Sequence, residues 1–286
     1  MVSAMATVKE LFTQIEQQLQ VGGCDSPTFD TTCLLEDIGG IGRGQVQRSW
    51  DRVLPDAVCT AVLAAAKRRA VGEPLQYILG TWDFLSLTLS VGDGVLIPRP
   101  ETEQLCELVA ERLQGVAHPR VLDLCSGSGC IALGVASLCP EATVSAVEKS
   151  ETAFSYLQRN LARYPSLAVT ATRGDVLTDA AAFTDTVDAI VSNPPYIPSA
   201  DLAALQREVQ HEPKMALDGG EDGLVFYRAI AESWAPHLRS GGFVAVEIGI
   251  GEAEDVCRIF TEAGLTNVQI FRDFAGIERI IFANRA

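Results

Sequence analysis

Val121-Leu122-Asp123-Leu124-Cys125-Ser126-Gly127-Ser128-Gly129-Cys130 carries the strongest architectural signal in this 286-residue chain. The short apolar run predicts a buried strand over Val121–Leu124, and the apolar stretch 130–138 after the glycines predicts a helix. Strand, glycine loop and helix in that order form the opening unit of an open α/β sheet. Downstream, strands are expected at Thr143–Glu148, Ala168–Thr172, Ala189–Val191, Gly242–Ile248, Asn267–Phe271 and Arg279–Ala283. Helices are expected at 151–163, 223–238 and 251–264. Alternation at this spacing implies a seven-stranded, Rossmann-like α/β sheet wrapped by helices. The last two strands lie close together in sequence and so predict a terminal hairpin with one antiparallel strand.

Upstream the pattern changes. Leu11, Ile15 and Leu19 recur at helical spacing, Thr31–Asp37 is a shorter helical candidate, and Asp56–Ala70 is rich in Ala and Leu. Residues 1–73 are therefore expected to form a small helical domain. Leu75–Leu79 and Phe84–Val91 alternate as strands do, with Gly80–Asp83 as the turn, so 74–97 is expected to be a β-hairpin linker. The α/β domain then runs over 98–286. It opens with Pro98-Arg99-Pro100-Glu101-Thr102-Glu103, prolines and acids that suit the first turn of a helix reaching about Leu113.

The net charge of −15 argues against a large footprint on nucleic acid, itself a polyanion. A protein or small-molecule partner is expected instead. The eight cysteines form no C-x-x-C pair and no Cys/His cluster at zinc spacing, so no metal site is expected and the thiols are read as reduced. No basic stretch leads into an apolar segment at the N-terminus, and no run of about 18 apolar residues appears. A cytoplasmic protein without a membrane partner is the expectation.

The chemistry gathers at the strand ends. Gly127 and Gly129 allow a ligand to approach backbone closely. About 20 residues on, the second strand ends at Glu148, placed to accept hydrogen bonds from both hydroxyls of a ribose. Asp175, after the third strand, is positioned to meet an adenine edge. Gly127-Ser128-Gly129-Cys130-Ile131-Ala132 also satisfies the looser G-x-G-x-x-A dinucleotide fingerprint, so an NAD-dependent oxidoreductase is an alternative. Asp123 directly ahead of the loop leans the other way, because a sulfonium tolerates nearby carboxylates and a pyrophosphate does not. S-adenosylmethionine is the better cofactor.

Asn193-Pro194-Pro195-Tyr196 follows the fourth strand, whose run Val187–Val191 ends just before it. The two prolines stiffen the peptide and hold the residue before them extended. Neither proline has an N–H, so the turn offers carbonyl acceptors, one Asn amide and an aromatic face. Such a site suits a planar group carrying NH2.

Together these residues resemble the PrmC/HemK family, the glutamine N5-methyltransferases of peptide chain release factors. Other segments that carry the likeness are Ile97–Glu103, His211-Glu212-Pro213, Ala216–Leu224 and Arg272–Arg279. The resemblance covers nearly the whole chain. It implies a class I S-adenosylmethionine-dependent methyltransferase domain, preceded by a helical domain that recognises the substrate. It further implies methyl transfer to the glutamine of the release-factor GGQ motif, a step linked to translation termination.

By the same resemblance Asp123, Cys125, Ser126, Gly127, Ser128, Gly129, Glu148, Asp175, Val176 and Asn193 bind cofactor. Asn193, Pro194, Pro195 and Tyr196 bind substrate, with Asn193, Pro194 and Tyr196 catalytic. Three positions depart from the pattern: Cys125 stands where Gly is usual, Glu148 where Asp is frequent, and Val176 where an aromatic is frequent. Arg99 is expected either at the cofactor entrance or paired with Glu101 or Glu103, His211 in an exposed loop, and Glu247 shaping the pocket. The alternatives are methylation of a ribosomal-protein glutamine and of adenine N6 in nucleic acid, since both targets present the same planar NH2.

Overall fold

The structure is a computed structural model and describes residues 6–286. The chain divides into two compact units, one of residues up to Thr81 together with Gln206–His211, the other of Trp82–Leu205 and Glu212–Ala286.

The smaller unit is helical. It contains β1 (Ala6–Thr7), α1 (Val8–Val21), α2 (Pro27–Asp37), β2 (Val53–Leu54), α3 (Asp56–Ala70) and α4 (Leu75–Leu79). A capping box starts α1: the Glu10 N–H donates to Thr7 Oγ1 at 3.2 Å, and the Thr7 N–H donates to Glu10 Oε2 at 2.9 Å. Leu11, Ile15 and Leu19 are fully buried, as their spacing required, on a helix that packs against α2 and α3. A buried ion pair ties the helices together. Arg69 on α3 donates to Asp30 on α2 at 2.6 Å and also pairs with Glu208, from the 206–211 segment. Burial pushes the Asp30 carboxyl up, with Arg69 opposing.

The hairpin expected over 74–97 is shorter and begins later. Leu75–Leu79 is a five-residue helix rather than a strand. Gly80, expected in the turn, caps that helix in the left-handed conformation at φ 77°, with its N–H bonded to the Gln76 carbonyl. Of the apparently alternating side chains there, only Leu75 is buried. The strands are β3 (Thr81–Phe84) and β4 (Leu87–Ser90). In β4 the alternation has its usual meaning, with Leu87 and Leu89 buried.

The larger unit continues with α5 (Pro100–Arg112), β5 (Arg120–Leu124), α6 (Cys130–Leu138), β6 (Thr143–Glu148), α7 (Glu151–Arg163), β7 (Val169–Arg173), β8 (Val187–Ser192), α8 (Val225–Ala229), β9 (Leu238–Glu247), α9 (Ala253–Glu262), β10 (Leu265–Arg272) and β11 (Glu278–Arg285). Seven strands form one sheet in the order β10-β11-β9-β8-β5-β6-β7. Only β11 runs antiparallel to its neighbours; the other pairings in the sheet are parallel. Alternate residues of β5 feed two cores on opposite faces. Val121 packs with Ile131, Leu157 and Phe282, while Leu122 packs with Tyr227, Trp234 and Phe260. The helix expected over 223–238 is broken into α8, a π-helical stretch at Ile230–Trp234 and a 3₁₀ turn at Ala235–His237 that holds Pro236. That break lets the buried Trp234 indole donate to the Val176 carbonyl at 2.7 Å.

Arg69→Ala is expected to destabilise the smaller unit by about 3–5 kcal/mol, because it strands Asp30 among buried groups. Urea unfolding followed in the 1–81 region checks this; a change under about 1 kcal/mol contradicts it.

Candidate active site

The sheet order reverses direction between β5 and β8, and a crevice opens there beyond the strand ends. Ser192, last in β8, donates its hydroxyl to the Leu124 carbonyl at 2.6 Å, which pins the two strand ends together. The glycine loop leaves β5, Glu148 ends β6 and Asn193 follows β8, so three separate segments meet at one edge. They border a cavity of about 880 Å³, its open mouth included.

Cys125, Ser126, Gly127, Ser128, Glu148, Asp175, Val176, Asn193 and Pro195 all line this cavity. Gly129, Asp123, Pro194 and Tyr196 lie behind the lining. Asp123 is fully buried beneath the loop and accepts the Ala132 N–H at 3.1 Å, bracing the start of α6. In the structure it braces the loop from below and does not line the cavity. Burial pushes its carboxyl up to about 8.

Glu148 is tied in place by backbone. Its Oε2 accepts the Gly127 N–H at 2.8 Å and its Oε1 the Ser150 N–H at 2.6 Å. Each carboxylate oxygen still has a lone pair free for a hydroxyl. Burial raises this carboxyl above the ordinary range. Cys125 adopts φ 60°, the left-handed region, which explains why glycine is usual there. The two cations in the lining are both engaged: Lys149 pairs with Asp175 at 2.7 Å, and Arg99 pairs with Glu212. Arg99 thus takes neither Glu101 nor Glu103; Glu103 instead accepts the Leu85 N–H at 2.8 Å. With apolar walls, acids at two corners and no spare cation, the cavity fits an adenosine bearing a sulfonium better than a pyrophosphate.

The Asn-Pro-Pro-Tyr turn is braced from outside. Ile197 exchanges backbone hydrogen bonds with the 217–219 segment, donating to the Leu217 carbonyl at 2.9 Å and accepting from Gly219 at 2.8 Å. Two glycines there are obligatory spacers. A Cβ on Gly219 would sit 2.8 Å from the Tyr196 backbone, and one on Gly223 would sit 2.5 Å from the Tyr196 carbonyl oxygen. Glu212 instead ties down the segment before α5, accepting the Ile97 N–H at 3.0 Å and pairing with Arg99. The half-buried Tyr196 phenol is pushed up to about 12 by burial first and by Glu247 next. It stays protonated at neutral pH.

Asn193 Nδ2 donates to Thr102 Oγ1 at 3.2 Å, and the Thr102 hydroxyl donates to Glu247 Oε2 at 2.6 Å. Among the described residues, neither Asn193 Oδ1 nor the Pro194 carbonyl accepts a hydrogen bond. Of the two, Asn193 lines the cavity and Pro194 sits directly behind it. Glu247 is buried and its carboxyl is pushed up to about 7, chiefly by burial. No described cluster of His, Cys, Asp and Glu is arranged to hold a metal ion, all eight cysteines are free thiols, and no described helix is long and apolar enough to cross a membrane.

A family profile described as the PrmC N-terminal domain matches residues 10–80, and one described as the methyltransferase small domain matches 101–235. The chain is 40% identical over 276 residues to the release factor glutamine methyltransferase of Geobacter sulfurreducens, covering 96% of this chain and 95% of that one. The chain belongs to the release factor glutamine methyltransferase family. The member from Moorella thermoacetica is 37% identical over 98% of this chain and 99% of its own length. In fold, the chain is also similar to the hMettl16 catalytic domain in complex with a 3'UTR hairpin, at 16% identity and TM-score 0.58, over 88% of this chain and 90% of that one.

Within this family setting, sequence reasoning missed several neighbours of the site. Thr102 and Glu212 lay inside quoted motifs without an assigned task, and Phe226, Met215 and Lys149 were not singled out. His211 is exposed, as expected for a loop residue, and does not line the cavity. Glu247 does not line it either; its carboxylate acts on the Thr102 hydroxyl.

Two buried carboxyls give a pH signature. In the folded chain Asp123 and Glu247 keep their protons up to about 8 and about 7, whereas the ordinary values are 3.8 and 4.5. Between about pH 5 and 7 the native state therefore binds more protons than the unfolded state, and stability falls as pH rises. Each group contributes a slope of up to about 1.4 kcal/mol per pH unit. Asp123→Asn is expected to remove its share, making the profile flatter than the parent's in urea titrations at stepped pH. Parallel profiles contradict this account.

Proposed function

We propose that this chain transfers a methyl group from S-adenosylmethionine to the side-chain amide nitrogen of the GGQ glutamine in peptide chain release factors. The observation that carries the reading is the braced turn after β8. Asn193, whose Oδ1 accepts no hydrogen bond among the described residues, lines a cavity suited to adenosine, and the Pro194 carbonyl follows directly behind it.

When bound, S-adenosylmethionine supplies an electrophilic methyl group on a sulfonium. Glu148 is the group placed to hold the ribose hydroxyls, with Asp175 and Val176 toward the adenine and the loop 125–129 beneath. A glutamine amide nitrogen is a weak nucleophile, because its lone pair is delocalised into the carbonyl. Asn193 Oδ1 and the Pro194 carbonyl accept its two N–H groups, and Tyr196 packs against the amide plane. Holding the nitrogen in one orientation contributes up to roughly 7–11 kcal/mol in favourable cases. The same acceptors stabilise positive charge developing on nitrogen. No histidine lines the cavity and the Tyr196 phenol stays protonated, so neither is placed to take the proton before transfer. The proton leaves the nitrogen afterwards, when it is far more acidic.

The helical unit is assigned to release-factor recognition, supported by its match to the PrmC N-terminal domain. The net charge of −15 favours a protein substrate over a nucleic acid. The free thiols suit a reducing compartment, and we place the protein in the cytoplasm.

Purified protein incubated with methyl-labelled S-adenosylmethionine is expected to label a release factor and not its Gln→Ala variant. Label found only in a ribosomal protein or in DNA would select the other substrates and overturn the assignment. Asn193→Ala is expected to lower kcat by about 100-fold or more while cofactor affinity stays within a few-fold. An unchanged kcat removes Asn193 from the mechanism.

A further inference from the structure

The reaction needs the Asn193 side chain in one of its two amide orientations. With Oδ1 toward the substrate, it accepts a hydrogen from the glutamine NH2. With Nδ2 toward the substrate, two donors face each other and the grip is lost. Asn193 cannot select between these states alone, since its oxygen and nitrogen ends occupy nearly the same space.

The selection comes from behind. Thr102, on the first turn of α5, has a single hydroxyl proton, and with the Glu247 carboxyl ionised that proton is committed to Glu247 Oε2 at 2.6 Å. The Thr102 oxygen can then only accept toward Asn193. It receives the Nδ2–H at 3.2 Å, which turns Oδ1 away from Thr102. Glu247 is itself anchored, because it ends β9 and the Tyr227 hydroxyl donates to its backbone carbonyl at 3.1 Å. Thr102, Glu247 and Tyr227 are all buried.

We propose that Thr102 and Glu247 are positioning residues that fix the Asn193 amide with its oxygen toward the reacting glutamine. The inference rests on the glutamine-methylation reading for its kinetic consequence, but the orientation itself is a property of the free enzyme. Valine at 102 keeps the shape of threonine and removes the relay, leaving both amide orientations open. Serine keeps the hydroxyl. Glutamine at 247 offers Thr102 either an oxygen or an NH2, so the direction of the relay is no longer imposed.

The experiment compares the parent with Thr102→Val, Thr102→Ser and Glu247→Gln. Steady-state methylation of a release factor, cofactor affinity by calorimetry and the Asn193 side-chain amide resonances by NMR are measured for each. Thr102→Val and Glu247→Gln are expected to lose about 10- to 100-fold in kcat, with KM and cofactor Kd within about threefold. Thr102→Ser is expected to return kcat to within about threefold of the parent. The Asn193 NH2 resonances should shift in the valine variant and stay near the parent position in the serine variant.

Parental kcat in Thr102→Val overturns the proposal, as does a serine variant impaired as much as valine, since the effect would then be one of packing. Should the valine variant not fold, Glu247→Gln at parental kcat overturns it alone. A parent that methylates no glutamine defeats the functional reading instead, and the NMR comparison still decides the relay.

Discussion

Parallel pairing of β5 with β8 is the constraint on which the site depends. It sets Leu124 beside Ser192, so the loop beginning at Cys125 and the turn beginning at Asn193 leave the sheet side by side. Neither segment has useful chemistry without the other: one offers close backbone and an acid for a sugar, the other offers acceptors for an NH2. Their separation in sequence is nearly 70 residues, and the hydroxyl of Ser192 on the Leu124 carbonyl closes that distance at the point of use. A parallel sheet buried on both faces makes such register hard to slip, because a one-residue shift would exchange the two apolar faces.

Around that junction the protein keeps acids in three different environments. Glu148 stays polar through backbone N–H donors while presenting itself to the cavity. Asp123 is buried under the loop with a single backbone donor within reach of one oxygen, and it holds a proton well above the usual range. Glu247 is equally buried but faces a hydroxyl, and through it an amide. Three carboxyls at the same sheet edge therefore do different work, and the difference comes from what surrounds them.

Much of this was legible in the chain. The alternation of apolar runs and helical stretches after Arg120 specified a sheet of seven strands, and the terminal hairpin gave its one antiparallel member. The loop 125–129, Glu148 and Asn193 were legible because each sits at the end of a strand. What escaped had a physical reason. Leu75–Leu79 alternates like a strand, yet a glycine able to cap a helix follows it, and local alternation over five residues cannot separate the two. The resemblance put Asp123 among the cofactor residues, yet in the structure it is fully buried beneath the loop and does not line the cavity. Thr102 stayed hidden because its role depends on residues 91 and 145 positions away, which no local pattern encodes.

The ion pair of Arg69 with Glu208 joins residues 139 positions apart within one compact unit. Translation at about 5–20 residues per second delivers that carboxylate roughly 7–28 s after the guanidinium. During that interval the nascent helices hold Arg69 against Asp30 without their last ionic partner. The N-terminal unit thus gains its last ionic contact only after β5 to β8 of the catalytic sheet have been synthesised.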